Sequence, residues 1–247
     1  MKKKFLLILL FGFVFLINSA SCISSPIRKE PIQTLGSKEN LPFQIGKKVS
    51  YGVKFNGINV GKINLEYLGR DIFDKESRDV IQFSSNVKIL AIFEIESQEK
   101  IHLDINTYLP SRVERDVKFL GREESILEEY NQKEGWVRVT NTRAKFTEQR
   151  LIQRAPPIHN SIILFFLHPI DLKENNIGKT FEFNLPLQKI SVKIKELRKI
   201  AATKGVEEFY LLEGSPRKFL IWIKKGQRLP QRLELPAFLG KVVILKI

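Results

Sequence analysis

The chain has 247 residues, of which 43% are hydrophobic and 28% are charged, and its formal net charge at neutral pH is +14. Its one cysteine excludes a disulfide framework and every zinc site built from several cysteines. A folded part of about 200 residues buries enough surface to hold a core without such links, so we expect one globular domain, or at most two.

The N-terminus has the features of an export signal. Three lysines at residues 2–4 precede an apolar stretch from Phe5 to Ile17, whose 13 residues are too few to span a bilayer as a helix. Small residues follow at positions 19–21, as a cleavable secretory signal requires. We therefore predict that residues 1–21 are a signal peptide and that the partners do not include nucleic acid.

The single cysteine, Cys22, directly follows Ser19-Ala20-Ser21, which resembles the lipobox of bacterial lipoproteins. In that pattern the cysteine becomes the lipidated first residue of the mature chain. Ser19 departs from it, because Leu or another aliphatic residue is usual there, so cleavage that leaves a free thiol stays open. Ile23 is not the aspartate that retains a lipoprotein in the inner membrane, so the resemblance implies an outer-membrane anchor. Without acylation, we expect a soluble periplasmic protein.

Residues 22–44 contain three prolines and mixed charges without a steady period. This composition predicts a tether. The rest of the chain, residues 45–247, is predicted to be a single β-rich domain.

From Lys47 onward, apolar side chains recur at every second residue, which is the period of a β-strand. Asn56-Gly57 predicts a turn between the first two strands, and Gly61 is interpreted as a second turn glycine. On the last strand, Val243, Leu245 and Ile247 form the predicted apolar face. Predicted strands lie near residues 49–55, 63–67, 81–89, 101–105, 113–119, 126–130, 137–139, 181–185, 190–194, 219–223 and 243–247.

Roughly ten to twelve such strands predict an all-β, mainly antiparallel domain, either a curled sheet or an open β-barrel-like structure with one apolar face. One segment breaks the rule. His159 to His168 contains a continuous apolar run after Asn160 and Ser161, and either of these two residues is a suitable helix cap. We predict a short helix there, ended by Pro169 and packed on or into the sheet, with a buried strand as the alternative.

The order of these features resembles the domain of unknown function 3108 family. The similar parts are residues 46–69 (GKKVSYGVKFNGINVGKINLEYLG), the apolar helix around residues 161–167, and residues 221–235 (IWIKKGQRLPQRLEL). The chain departs from the family at Lys225-Gly226, where an aspartate commonly precedes Arg-x-Pro. The resemblance implies an exported, barrel-like, mostly β envelope protein with no established activity.

Candidate catalytic residues are few. His102 and Asp104 lie two apart on one predicted strand and could present a histidine-carboxylate pair, although a solvated strand face is the simpler interpretation. Glu94 and Glu96 could act as a paired acid and base, although exposed carboxylates are common on strands. His159 and His168, nine residues apart, are interpreted as helix-end residues that cannot share a metal. We therefore predict no metal, and no glycine-rich motif indicates a nucleotide cofactor.

The distribution of charge along the sequence is a stronger indication of function than these candidate catalytic residues. Residues 22–135 carry 17 basic and 18 acidic side chains, whereas residues 136–247 carry 21 basic and 9 acidic ones. This asymmetry indicates an anionic partner. Lys193 and Lys195 share a face opposite Val192 and Ile194, which predicts a positive outer surface. The predicted binding residues are Lys193, Lys195, Trp222, Lys224, Arg228 and Arg232, and the alternative is a solubilising face that discourages edge pairing.

These observations lead to two hypotheses of different class. The first is a non-enzymatic envelope lipoprotein that binds a lipid, a cell-wall component or another anionic polymer, with an acyl chain cupped against the apolar face as one version. The second is a periplasmic hydrolase of glycan or ester bonds that uses His102 or the carboxylates. A third possibility is a scaffold that binds another envelope protein along a sheet edge.

Overall fold

The computed structural model describes residues 44–73, 76–89, 93–167, 170–203, 205–237 and 239–247. The predicted signal peptide and Cys22 lie outside these residues. The described chain forms fourteen strands, one α-helix and one short 3₁₀ helix. They are β1 (Lys48–Phe55), β2 (Ile58–Phe73), β3 (Glu76–Ile89), β4 (Phe93–Asp104), β5 (Pro110–Phe119), β6 (Arg122–Asn131), β7 (Trp136–Arg143), β8 (Phe146–Gln153), α1 (Ser161–Leu167), the 3₁₀ helix (Glu174–Asn176), β9 (Thr180–Asn184), β10 (Lys189–Ala202), β11 (Gly205–Ser215), β12 (Phe219–Lys224), β13 (Arg232–Ala237) and β14 (Gly240–Lys246).

All fourteen strands belong to one antiparallel sheet, in the order β8-β7-β6-β5-β4-β3-β2-β1-β14-β13-β12-β11-β10-β9. Neighbours in the sheet are neighbours in the chain except where β1 pairs with β14 and brings Val53 opposite Ile244. The sheet is not closed, and β8 and β9 are its two edges. The predicted all-β class, with one short helix and an open barrel-like sheet, is confirmed.

Three strands lie outside the predicted set. They are β8, β11 and β13, and each carries a weak period-two signal for a different reason. β8 is exposed along nearly its whole length, so no apolar face selects it. β11 buries three consecutive residues, Tyr210 to Leu212. β13 contains Pro236, which is unusual inside a strand.

The prediction of which face of β14 is buried was wrong. Val53 of β1 lies opposite Ile244, so Val242 and Ile244 point to the core, and Val243 and Leu245 point outward. The register is held at the start of the strand by Asn56, whose side chain donates to the Leu239 carbonyl (3.0 Å) and accepts from the backbone N–H of Lys241 (2.9 Å). Residues 242–245 are all apolar, so their alternation could not identify the buried face.

Gly57 and Gly61 have different roles. Gly57 lies in the β1–β2 turn with a φ of +87°, as predicted. Gly61 lies inside β2, where a Cβ atom would be 2.2 Å from the backbone oxygen of Asn86 on β3. Its interpretation as a turn glycine was wrong, because glycine is needed there for the close approach of two strands.

The predicted helix is present as α1. The side-chain oxygen of Asn160 accepts hydrogen bonds from the backbone N–H groups of Ile162 (2.9 Å) and Ile163 (3.3 Å). Of the two proposed caps, Asn160 is therefore the one that is used, and the buried-strand alternative was wrong. The predicted end of the helix, at His168 and Pro169, lies outside the described residues.

Helix α1 packs into the curled sheet and contacts both of its halves. Phe166 lies against Tyr51 of β1 (ring centroids 5.0 Å apart) and Phe83 of β3 (6.0 Å), whereas Phe165 meets Phe219 of β12 edge-on at 5.0 Å. Five of the seven helical residues are buried. A helix this short is unstable alone in water, so its stability comes from this packing.

The segment after β8 covers the opposite edge of the sheet. Ile158 forms a parallel bridge with Asn184 at the end of β9, and Asn184 also donates to the Ala155 carbonyl (2.9 Å). Gln132 accepts from the backbone N–H of Ile158 (2.9 Å) and donates to its carbonyl (2.8 Å). These bonds join the two sides of the open sheet at one end, while β8 itself pairs only with β7 among the described strands.

We expect the substitution Leu164→Ala to destabilise the domain strongly. Leu164 is 2% exposed in α1, and truncation of a buried leucine to alanine costs about 2–5 kcal/mol. Denaturant unfolding followed by circular dichroism measures the change. Leu239→Ala, at a site that is 61% exposed, is the matched control and should cost less than about 1 kcal/mol. Equal effects for the two variants would contradict the buried position of α1.

Candidate functional site

Three lysines surround one glutamate on the outer face of the sheet, near the β11–β12 turn. Lys195 Nζ donates to Glu213 Oε2 at 2.8 Å. This hydrogen bond, together with the charge of Lys195 and that of Lys218 and Lys193, holds the pKa of Glu213 below its usual range. We refer to Lys193, Lys195 and Lys218 as the lysine cluster. With one carboxylate among three ammonium groups, it keeps an excess of positive charge.

The β-strand period and the strand pairing place these lysines together. Val192 and Ile194 of β10 are buried, so Lys193 and Lys195 face outward, and both are exposed. Lys193 lies directly opposite Glu213 of β11. The sequence predicted this outward face correctly, but Lys218 was not among the predicted binding residues, because its proximity depends on the β11–β12 turn.

The other predicted binding residues lie further along the outer face. Trp222 is half-buried, and the Arg198 guanidinium lies over its ring at 5.1 Å. Lys224 pairs with Glu207 at 2.6 Å, and Arg232 pairs with Glu234 at 2.6 Å. Arg228 is half-buried in the segment between β12 and β13. The structure therefore does not bring the six residues into one site, and only Lys193 and Lys195 belong to the lysine cluster.

Positive charge remains in this half of the domain after the acids have paired. Every described acidic residue from Asp171 to the C-terminus forms an ion pair with a lysine or arginine. The same part of the chain contains eight acidic and fifteen described basic residues. The excess predicted from composition is therefore present on the folded domain.

A second group of charges is buried on the inner face, and we call Glu99, Arg115, Glu128 and Tyr130 the inner charge cluster. Arg115 Nε lies 3.0 Å from Glu99 Oε1, and its Nη1 lies 3.3 Å from Glu128 Oε1. The Tyr130 hydroxyl donates to Glu128 Oε2 and is also hydrogen-bonded to the Asn160 side chain. The inner charge cluster therefore connects strands β4, β5 and β6 to the cap of α1.

Burial and the charges of neighbouring groups shift the pKa values of three residues in this cluster, Glu99, Arg115 and Tyr130. Burial raises the pKa of Glu99, and the charge of Arg115 opposes the rise. Burial acts to lower the pKa of Arg115, but the charges of Glu99 and Glu128 outweigh it and raise that pKa. Burial and the neighbouring Glu128 charge raise the pKa of Tyr130 well above its ordinary value. Arg115 therefore stays charged between the two carboxyl groups.

This arrangement is suited to holding structure together rather than to acid–base catalysis. Arg115 lies between the two carboxyl groups, and its side chain is only 6% exposed. The inner charge cluster was not predicted from the sequence, although one signal for it was present. Arg115 is two residues from each of Val113 and Val117, which are both buried. The strand period of two therefore predicts that the Arg115 side chain points to the apolar face.

The histidine-carboxylate pair does not form an open site. His102 points outward from β4, but it is only 2% exposed, so its interpretation as part of a solvated face was wrong. The Phe73 ring covers it at 5.5 Å, and Phe73 is in turn contacted by Arg112 at 5.0 Å. Asp104 pairs with Arg78 at 3.0 Å and accepts hydrogen bonds from the turn that follows β4.

The two carboxylates considered for acid–base catalysis are exposed on β4. Glu94 lies 3.7 Å from Lys88 Nζ, and Glu96 accepts a hydrogen bond from Asn86 at 3.0 Å. Across the described ranges, no group of three or more histidine, cysteine or acidic side chains is arranged to hold a metal ion. In the same ranges, no helix has both the length and the apolar character needed to cross a membrane.

No model of a known protein family matches the chain, and no curated protein matches it. The chain is similar to a crystal structure described as the β-barrel-like protein of domain of unknown function DUF1849 from Brucella abortus. That similarity has a TM-score of 0.48 at 8% sequence identity and covers 81% of this chain and 94% of the other. The resemblance to the domain of unknown function 3108 family stays a prediction.

We expect Arg115→Met to destabilise the domain severely. The change leaves Glu99 and Glu128 buried without a cation, and removal of one partner from a buried ion pair costs about 3–5 kcal/mol. The free energy of unfolding from urea titration measures the effect. Arg138→Met is the matched control, because Arg138 is 43% exposed and its pair with Glu129 should be worth less than about 1 kcal/mol. A loss of similar size for both variants would show that the inner charge cluster is not buried.

The burial of His159 predicts that the folded domain loses stability in acid. Burial lowers the pKa of His159 to about 4, whereas the unfolded side chain titrates near 6.5. Above pH 6.5 the residue is neutral in both states, and as the pH falls toward 4 the unfolded state alone gains a proton. The His159 contribution therefore declines by about 3 kcal/mol over this window. Stability measured against pH should fall less steeply for His159→Gln than for the original chain, and parallel curves would contradict the assignment.

Proposed function

We propose that this protein is a non-enzymatic component of the cell envelope, exported and anchored through Cys22, whose lysine cluster holds the domain against an anionic lipid surface. The observation that carries the proposal is the placement of Lys193, Lys195 and Lys218 around the single carboxylate of Glu213. All three lysines are exposed on the outer face, where a planar membrane can approach them.

Electrostatics favours this use of the surface. Each lysine close to an anionic membrane contributes about 1 kcal/mol, and the attraction decays within a Debye length of about 8 Å at physiological salt. The Lys195–Glu213 pair neutralises one positive charge, so the other two lysines supply the net attraction. Binding of this kind is sensitive to salt, which distinguishes it from insertion of apolar groups.

The position of α1 favours the outer face over the inner one as the lipid contact. Buried side chains of α1 occupy the apolar inner face of the sheet in the described part of the chain. An acyl chain cupped against that face would compete with the contacts of Phe165 and Phe166. Lipid headgroups, rather than an acyl chain, are therefore the ligand that we propose for this protein.

The predicted anchor and tether are compatible with such a contact. A flexible segment of about 20 residues has a root-mean-square span of roughly 25 Å, comparable to the size of a small domain. A domain tethered at this distance samples the membrane continuously, so even a weak contact is populated.

The hydrolase hypothesis has no comparable support among the described residues. His102 is covered by Phe73, and Asp104 is engaged by Arg78. Glu94 and Glu96 lie on an exposed strand face beside Lys88 and Asn86.

Loss of the lysine cluster should weaken binding to anionic vesicles. The chain beginning at Ile23 keeps every described residue, and its triple variant Lys193→Gln, Lys195→Gln and Lys218→Gln removes three positive charges. We expect at least about a tenfold loss of affinity for vesicles containing phosphatidylglycerol, since each lysine contributes about 1 kcal/mol. Vesicle co-sedimentation at several salt concentrations measures the affinity and its salt dependence.

The matched control removes the same charge from the other half of the sheet. Lys62, Lys88 and Lys118 are all exposed, and their replacement by glutamine should change the affinity little. Equal losses for the two triple variants, or no binding by the original chain at low salt, would refute the proposal. Binding to a soluble polyanion in the absence of vesicle binding would instead identify an acidic envelope polymer as the partner.

A further inference from the structure

The two edges of the sheet are protected to different extents. β9 has five residues, and its end is covered by the bridge to Ile158. β8 has eight residues, contains no proline or lysine, and pairs only with β7 among the described strands. Exposed edge strands are usually blocked by such devices, because their free backbone groups can pair with another strand.

β8 is exposed on both of its faces as well as at its edge. Phe146, on the inner side, is 81% exposed, and Leu151, on the outer side, is 64% exposed. Two large apolar side chains thus accompany a row of backbone groups without a strand partner in the described sheet. These properties indicate a surface that another β-strand can join.

The hydrogen-bond pattern determines which β8 residues can bond to an added strand. Arg154, directly after β8, donates its backbone N–H to the Gly135 carbonyl on the β7 side at 2.8 Å. Backbone groups alternate in direction along a strand, so the even-numbered residues of β8 bond toward β7. The odd-numbered residues Thr147, Gln149, Leu151 and Gln153 therefore direct their N–H and C=O groups away from the sheet.

We propose that β8 pairs with β8 of a second copy of this chain, antiparallel about a two-fold axis, with Gln149 opposite Gln149. In this register Thr147 lies opposite Leu151 of the second copy, and the outward backbone groups of Thr147, Gln149 and Leu151 meet their counterparts. The even-numbered residues form the closely spaced pairs between these bonds. Phe146 then lies opposite Ile152, and Glu148 lies opposite Arg150.

Charge complementarity selects this register over its neighbours. A shift of the pairing by two residues in one direction places Glu148 opposite Glu148, and the same shift in the other direction places Arg150 opposite Arg150. Only the proposed register of the three puts unlike charges opposite each other, and symmetry forms that pair twice. Like charges directly opposite each other across two strands destabilise the pairing, whereas unlike charges stabilise it.

Within one copy, Glu148 and Arg150 already lie on one face, with Arg150 Nε 2.8 Å from Glu148 Oε1. Both side chains are more than half exposed, at 61% and 71%. Pairing of two β8 strands therefore requires no burial of an unpaired charge. Each carboxylate gains a second guanidinium from the other copy.

Disulfide cross-linking tests the pairing and its register. The full chain carrying Cys22→Ser has no other cysteine, so it can receive Gln149→Cys or, as the control, Thr147→Cys. In the proposed register the two Gln149 Cα atoms are about 5.5 Å apart, within reach of a disulfide. The two Thr147 positions are displaced by four residues, or about 13 Å. Under mild oxidation in a detergent extract, Gln149→Cys should form a dimer at least about ten times faster than Thr147→Cys.

Charge reversal tests the same pairing independently. In the Gln149→Cys chain, Glu148→Arg or Arg150→Glu places like charges opposite each other and should slow dimer formation roughly tenfold. The double change Glu148→Arg with Arg150→Glu restores unlike pairs and should restore the rate. Circular dichroism verifies that each exposed substitution leaves the fold intact. Equal cross-linking at Gln149 and Thr147, no cross-linking at either, or rates unaffected by charge reversal would each overturn the proposal.

Discussion

The packing of α1 into the curled sheet joins both halves of the molecule, and the buried ion pairs of Arg115 with Glu99 and Glu128 lie beside the start of this helix. Glu128 accepts a hydrogen bond from Tyr130, Tyr130 is hydrogen-bonded to Asn160, and Asn160 caps the helix. A seven-residue helix is unstable by itself, so its place in the fold must be set by contacts at its start and along its buried side. The charges supply the first of these constraints and the aromatic rings supply the second.

This position of α1 explains the distribution of side chains over the rest of the molecule. The helix contacts β1 and β3 on one side and β12 on the other, so a single core extends across both halves of the open sheet. Apolar alternate residues are directed to that core, and the lysines of β10 are directed outward. The charge asymmetry of the sequence thus becomes a positive outer surface on one half of the domain.

The proposed membrane contact and the proposed dimer contact therefore lie on two different surfaces of the same domain. The lysine cluster lies near the β11–β12 turn, whereas β8 is the edge strand at the far end of the sheet order. A dimer formed through β8 would place two lysine clusters on one particle. If both faced the same membrane, their combined binding would exceed that of one cluster, because the second contact becomes intramolecular.

Much of the fold was predictable from the sequence, because alternation with a period of two reports directly on burial. It identified the outward lysines of β10 and the helix that interrupts the strands. It failed on β14, where residues 242–245 are apolar on both faces, and on β8, where no face is buried. His102 became buried through Phe73 at the end of a longer β2 than predicted, which is a contact between distant parts of the chain. The inward position of Arg115 could be predicted, because Arg115 is two residues from each of the buried residues Val113 and Val117. Its partners Glu99 and Glu128 could not be predicted, because they lie on two other strands and meet Arg115 only through the strand register.

One core, built around α1, joins both halves of the sheet. Native-state hydrogen exchange tests it most directly through the amides of Ile101 in β4 and Ile221 in β12, which are both buried. Both amides should exchange through the same global unfolding, with equal free energies and equal dependence on denaturant. Exchange of Ile221 through a separate opening of β9–β14, at clearly lower free energy than Ile101, would contradict it.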